Sequence, residues 1–220
     1  MRLRAVVFDA VETLFSLDAV AAALEARGYP QTLERFFTRL LRDGAALSLA
    51  NSPRTFAAVA DGALQVVAPR LDAKGRAGVV AAFATLGVHD DVEAAFQVAR
   101  SAGLRVAVLS NGGATSVTHL LDAHDLAHYV EVVVGVEDAA SWKPGPTPYQ
   151  LVLERLDLEP AAVAMVAAHA WDTHGAASLG MRTGWVSRLE VVYATTFTAP
   201  DVRAATLDAV VSGLLARTAI

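Results

Sequence analysis

The sequence predicts an α/β fold, a doubly wound parallel sheet interrupted after its first strand by an all-helical insertion. Four apolar residues, 5–8, run straight into Asp9, which is how a buried parallel strand delivers a polar group to its carboxyl edge. From residue 90 onward short apolar strands alternate with helical stretches, the pattern of successive βα units. Residues 16 to 88 carry several helical stretches and no strand. The expected organisation is a sheet-bearing core over 1–15 and 89–220, with a helical cap subdomain over 16–88.

The elements follow in order. Leu17 to Arg27 reads as an amphipathic helix with Asp18 in its first turn and Gly28 as its stop. From Thr32 to Leu49 the residues Leu33, Phe36, Phe37, Leu40, Leu41 and Leu47 recur at helical spacing, with Arg35, Arg39 and Arg42 between them. Asn51-Ser52-Pro53 is expected to turn the chain and cap a helix reaching Val67, and Ala73 to Leu86 extends the helical block. Val92 to Ala102 is then helical, Leu104 to Leu109 a strand, Thr115 to His124 a helix and Val130 to Val136 a strand. Thr147 to Leu156 is helical, Val163 to Ala167 a strand, Thr173 to Leu179 a helix and Met181 to Val186 a strand. The tail after Arg188 reads as loop plus one short helix near Leu207 to Leu215. Such alternation makes the sheet Rossmann-like.

Composition removes several classes of function. A hydrophobic fraction of 54% excludes wholesale disorder. The net charge of -5, with arginines scattered along the chain, leaves no basic footprint for nucleic acid. There is no cysteine, hence no disulfide framework, thiol nucleophile or thiolate metal site. Met1-Arg2-Leu3-Arg4 lacks the apolar region of a signal peptide, and no apolar run reaches membrane-spanning length. A cytoplasmic protein acting on a small molecule, with neither nucleic acid nor membrane as partner, is expected. Of 18 basic side chains only Lys74 and Lys143 are lysines, so a lysine here invites a specific question.

Each later strand ends in polar chemistry. Ser110-Asn111-Gly112 follows the second, placing a hydroxyl, an amide and a flexible backbone together. Glu137-Asp138 and Trp142-Lys143-Pro144 follow the third, and His169-Ala170-Trp171-Asp172 the fourth. Ligands of open α/β sheets bind outside these carboxyl ends, so Asp9 is a candidate nucleophile or metal ligand. His119, His124 and His128 lack acidic partners in register and make a poor metal site.

Asp9-x-x-x-Thr13, Ser110-Asn111-Gly112, Lys143-Pro144 and Asp172, in that order at strand ends, resemble the four motifs of the haloacid dehalogenase superfamily. The helical insertion stands where that superfamily has its cap. Tyr149, six residues after Lys143, and Ala-His-Ala-Trp-Asp at 168 to 172 resemble the L-2-haloacid dehalogenase (type II) branch. Superfamily phosphatases carry a second aspartate two residues after the nucleophile; here that residue is Val11, which transfers no proton. An alkoxide leaving group needs an acid and a halide does not, so Val11 favours carbon–halogen chemistry. Type II relatives usually have tyrosine at that position, glycine where Glu12 stands, serine at Ala167 and asparagine at His169.

The resemblance implies a mechanism residue by residue. Asp9 attacks the halogen-bearing carbon of a short 2-haloacid, and water hydrolyses the resulting ester. Thr13, Ser110 and Asn111 orient Asp9 and bind the substrate carboxylate, and Lys143 holds Asp9 ionised with Tyr149 close by. Asp172 positions Lys143 or activates water, Arg39 receives the halide or carboxylate, and Val11, His169 and Trp171 contribute to the substrate pocket. No cofactor is implied, and a homodimer is expected by analogy. Two alternatives stand beside this: a Mg²⁺-dependent phosphatase with the metal on Asp9, Asp172 and Asp138, or a binding protein on a decayed scaffold. Simpler roles also exist: Asp172 as a helix cap, Tyr149 as packing beneath the cap, Arg39 as part of a solvated face with Arg35 and Arg42, and Trp171 and Phe56 as core.

Overall fold

A computed structural model describes residues 2–218, so Met1, the first residue of the N-terminal stretch discussed above, lies outside the described residues. Six parallel strands form one sheet in the order β3-β2-β1-β4-β5-β6. They are β1 (Ala5–Phe8), β2 (Arg105–Leu109), β3 (Val132–Val134), β4 (Val163–Ala167), β5 (Arg182–Val186) and β6 (Val202–Ala204). The order reverses at β1, which pairs with β2 on one side and β4 on the other, so the crevice for a ligand falls beside Asp9.

Strand alternation divides the core into two layers. Val6 and Phe8 face the larger apolar cluster, shared with α5 (Val92–Ser101), α10 (Leu207–Thr218) and the helical insertion. Ala5 and Val7 face a second cluster, built with α8 (Pro146–Leu156) and α9 (Ala170–Ser178). Every residue of β1 is buried, which explains why its sequence does not alternate with polar residues.

The insertion consists of α1 (Asp18–Glu25), α2 (Leu33–Leu49), α3 (Phe56–Val67), α4 (Ala73–Ala81) and a 3₁₀ turn, Ala82–Thr85. Its two connections lie together at the base: Ser16 N donates to Gly87 O at 2.8 Å and His89 N to Leu14 O at 3.0 Å. Gly28 ends α1 with φ +81°, the left-handed conformation glycine adopts at low cost.

Several boundaries differ from expectation. Helix α3 is capped by the Thr55 hydroxyl, which accepts from Ala58 N at 3.3 Å, instead of by the Asn51-Ser52-Pro53 turn. The expected strand at 130–136 shrinks to β3, and Val136 opens a short helix, α7 (Val136–Ala139). Strand β6 was not expected; three residues, none of them fully buried, pairing at a sheet edge leave no periodic signal. Helix α9 begins at Ala170, three residues earlier than expected, which places Trp171 and Asp172 in its first turn and fixes where they point. Helix α6 (Ala114–Ala123) follows β2 as expected.

Candidate active site

Asp9 leaves the end of β1 with both oxygens held. Oδ2 accepts a hydrogen bond from Thr13 Oγ1 at 2.7 Å, and Thr13 Oγ1 accepts in turn from Ala168 N at 2.9 Å. The turn after β1 is thereby pinned to the end of β4. Oδ1 accepts from Lys143 Nζ at 2.8 Å. That ammonium also donates to Leu109 O at 2.9 Å and to Asp172 Oδ2 at 2.6 Å, so its three protons meet three acceptors from three strand ends. Asp172 is satisfied on its far side by Tyr149 Oη, which donates to Oδ1 at 2.7 Å.

The electrostatics follow from burial opposed by charge. Burial is the largest influence on Asp9 and acts to raise its pKa, but Lys143 and then His169 outweigh it and hold the carboxyl well below the ordinary carboxylate range. Burial would lower the pKa of Lys143; Asp172 and Asp9 reverse this and raise it. For Asp172 burial prevails over the opposing charge of Lys143, and its pKa is raised. The Tyr149 hydroxyl is pushed well above its usual value by burial and by the neighbouring Asp172 charge, so it remains a donor.

A small cavity opens over Asp9. Ser110, Asn111, Gly112 and His169 give it polar edges, while Val11, Phe37, Leu41, Phe56 and Trp171 give it apolar walls. Lys143 Nζ lies 5.9 Å from the centre of the Trp171 ring. The structure therefore brings Asp9, Val11, Ser110, Asn111, His169 and Trp171 to one space, and supports Asp9 from behind with Thr13, Lys143, Asp172 and Tyr149.

Arg39, Tyr149 and Asn111 take other roles than expected, and Thr13 and Asp172 each keep one of two. Arg39 does not reach the cavity: it sits on the opposite side of α2, 3.6 Å from Asp43, among Gln31, Glu34, Arg35 and Arg42. Phe37 and Leu41 are the residues this helix turns toward Asp9. Tyr149 is fully buried and bonded to Asp172, so it supports the site from outside the cavity. Asp172 is also fully buried, with one oxygen on Lys143 and the other on Tyr149, which fits the first of its two expected roles, positioning Lys143, and not contact with water. Thr13 is spent on Asp9 and Ala168 N, and Asn111 Oδ1 accepts from Lys143 N at 2.8 Å, clamping the lysine loop instead of orienting Asp9.

The residues do not fit a divalent cation shared by Asp9, Asp172 and Asp138. Lys143 occupies the space between the first two, and Asp138 is taken by Gly135 N at 2.8 Å and Arg155 at 3.0 Å.

Two features escaped sequence reasoning. Glu12, with φ +67°, pairs through Oε2 with His169 Nε2 at 2.9 Å. Burial works to lower the pKa of His169, but Asp9 and Glu12 overcome it and raise the value to about 10. Its Nδ1 has no hydrogen-bond partner and lies 3.9 Å from Asp9 Oδ2, beyond hydrogen-bond distance, so the attraction between them is coulombic. The second feature is Trp142, beside Lys143 and fully buried. Its indole donates to Arg54 O at 3.0 Å, its backbone N to Ser48 Oγ at 2.9 Å, and its ring stacks on Phe56 and fills the space left by the missing side chain of Gly44. Trp142 ties the lysine loop to the helical insertion; its adjacency to the unusual lysine was the available clue.

A parallel α/β sheet presenting a charge-balanced carboxylate at its switch point, beneath a helical insertion, defines a hydrolase-type site at the sheet's carboxyl edge. The family model of haloacid dehalogenase-like hydrolases matches residues 3–180, and the chain belongs to that family. It is 32% identical over 196 residues to an (S)-2-haloacid dehalogenase of Xanthobacter autotrophicus, covering 85% of this chain and 76% of that one. It is 30% identical over 201 residues to (S)-2-haloacid dehalogenase 4A of Burkholderia cepacia, covering 84% of each. The solved L-2-haloacid dehalogenase of Xanthobacter autotrophicus with chloropropionic acid covalently bound superposes with a TM-score of 0.87 at 26% identity, covering 98% of both chains.

Proposed function

We propose that this protein hydrolyses the carbon–halogen bond of 2-haloalkanoic acids through an ester on Asp9. The observation that carries the proposal is the state of Asp9: ionised, desolvated on all sides but one, and held by Thr13 and Lys143 with its open side facing a largely apolar cavity. A carboxylate so placed is a stronger nucleophile than one in water, because no hydration shell has to be stripped at the moment of attack. Val11 lines the cavity where a phosphatase would need a proton donor, and a departing halide needs none.

In the first step Asp9 forms a bond to C2 as the bond from C2 to halogen breaks, the electron pair leaving with the halide. Ser110 Oγ and His169 Nδ1, both at the cavity wall, supply donors for the substrate carboxylate and the departing anion. In the second step water attacks the Asp9 carboxyl carbon and releases the 2-hydroxy acid. His169 is the titratable cavity residue adjacent to Asp9, and Glu12 holds it from the opposite nitrogen. Esterification removes the negative charge of Asp9, which raises the His169 pKa in the free enzyme. The imidazolium then releases its Nδ1 proton to solvent, the neutral ring accepts one from the attacking water, and it returns that proton to the alkoxide oxygen of the departing 2-hydroxy acid as the ester bond breaks.

The same proposal includes a core of 1–15 and 89–220 with a helical cap of 16–88, a cytoplasmic homodimer and no metal requirement. Among the described residues no helix is long and apolar enough to cross a membrane. The test is halide release from chloroacetate and 2-chloropropionate with and without chelator. Release that is indifferent to chelator supports the proposal; no release, with Mg²⁺-dependent hydrolysis of an aryl phosphate, overturns it.

A further inference from the structure

A second, larger cavity adjoins the one over Asp9. The two share Val11, Phe56, Ser110 and Gly112, which form the gate where one space meets the other. Beyond that gate the walls are apolar and come from both halves of the molecule. Phe83 and Leu86 face it from the insertion, Val117 and Leu120 from α6, and all four are buried in the hydrophobic core. The only carboxylate on its lining is that of Glu137, which lies over Gly113: a Cβ on that glycine would stand 3.0 Å from Glu137 Oε2. No lysine, arginine or histidine lines it.

We infer that this cleft receives the hydrocarbon tail of the substrate, and that the enzyme acts on 2-halo monocarboxylic acids bearing an unbranched apolar substituent of several carbons, in preference to the two- and three-carbon acids. The inference rests on the dehalogenase reading of the Asp9 site and extends it to the substituent on C2. Val11 sets the gate: a larger residue there would close the passage between the cavities. The lining selects against polarity at the far end of the tail, since nothing cationic answers a terminal carboxylate and Glu137 repels it. Removing apolar surface from water inside an existing cleft is the driving force.

The experiment compares 2-chloropropionate, 2-chlorobutanoate, 2-chlorohexanoate and 2-chloroadipate on the wild-type enzyme and on Ala84→Trp. Ala84 is an exposed residue of the 3₁₀ turn that lines the tail cleft and not the cavity over Asp9, so an indole there fills the cleft without touching the reacting groups. For the wild type kcat/KM should rise roughly threefold per added methylene up to 2-chlorohexanoate, with 2-chloroadipate falling at least about tenfold below 2-chlorohexanoate. Ala84→Trp should abolish the rise and leave 2-chloropropionate within about twofold of wild type. A flat or falling series on an enzyme that turns over 2-chloropropionate overturns the inference, as does an equal loss on all substrates in Ala84→Trp. If no haloacid is turned over, the dehalogenase reading fails, and calorimetry with hexanoate and acetate decides the cleft separately. Hexanoate binding that exceeds acetate binding and is removed by Ala84→Trp sustains it; equal binding of the two acids overturns it.

Discussion

Glu12 Oε2 and His169 Nε2 stand 2.9 Å apart, joining the turn after β1 to the start of α9 directly above Asp9. Glu12 occupies a left-handed backbone conformation, φ +67°, which costs a non-glycine residue on the order of 1 kcal/mol. Its side chain fixes the imidazole so that the other nitrogen faces the nucleophile. Because the folded His169 pKa is raised to about 10 from 6.5, its stabilising effect is fully present below the unfolded value and is lost as pH rises through the folded one. Denaturant unfolding of the wild type should therefore show stability falling across that window, and His169→Gln should flatten the fall. In the same variant ester hydrolysis slows more than ester formation, so the Asp9 adduct accumulates in rapid-quench mass spectrometry. An unchanged alkaline slope and no accumulating adduct would remove His169 from both roles.

Lys143 compensates two buried carboxylates at once. Lys143→Met leaves Asp9 and Asp172 without their shared cation, and a loss of about 3–5 kcal/mol is expected. Halide release should fall on the order of a hundred- to a thousandfold. Lys143→Arg should rescue neither, since the planar guanidinium does not fit a fully buried site shaped for a point charge. Recovery of either property in the arginine variant would show that charge alone suffices.

Tyr149 acts through Asp172. Tyr149→Phe removes the donor to Asp172 Oδ1 and should cost about 1–3 kcal/mol of stability, the penalty of an unsatisfied buried acceptor. Because Tyr149 does not line the cavity, kcat should fall with KM unchanged. A rise in KM with constant kcat would place its hydroxyl in contact with substrate.

Arg39 provides the opposite control. Its pairing with Asp43 on the outer face of α2 is half exposed, so Arg39→Ala should change stability by less than ~0.5 kcal/mol. Halide release should stay within about twofold of wild type. Phe37→Arg, on the face that meets the cavity, should not be tolerated as silently.

These contrasts mark where sequence reasoning reaches and where it stops. Asp9, Ser110 and Asp172 were legible because each comes soon after a strand, and strand ends are local features of hydrophobic patterning; Lys143, beyond α7, was legible as one of two lysines. Arg39 was misplaced because choosing which face of α2 meets Asp9 depends on how the insertion docks. The apolar stripe of Phe36, Phe37, Leu40 and Leu41 held that information, since Arg39 lies about half a turn from Phe37. The start of α9 was missed because His169 makes no side-chain capping bond there, so no cap residue announces the helix. The Glu12–His169 pair joins positions 157 residues apart, and neither residue alone calls for the other.

Covalent participation of Asp9 is the claim on which the rest depends, and a single turnover in heavy-oxygen water measures it directly. Enzyme in excess over 2-chloropropionate is allowed one turnover, and the peptide bearing Asp9 is analysed by mass spectrometry together with the product. If water attacks the Asp9 ester, the label enters the Asp9 carboxylate and the 2-hydroxy acid carries ordinary oxygen. Label in the hydroxy acid with none on Asp9 would mean that water attacks the substrate carbon itself, and Asp9 would not be the nucleophile.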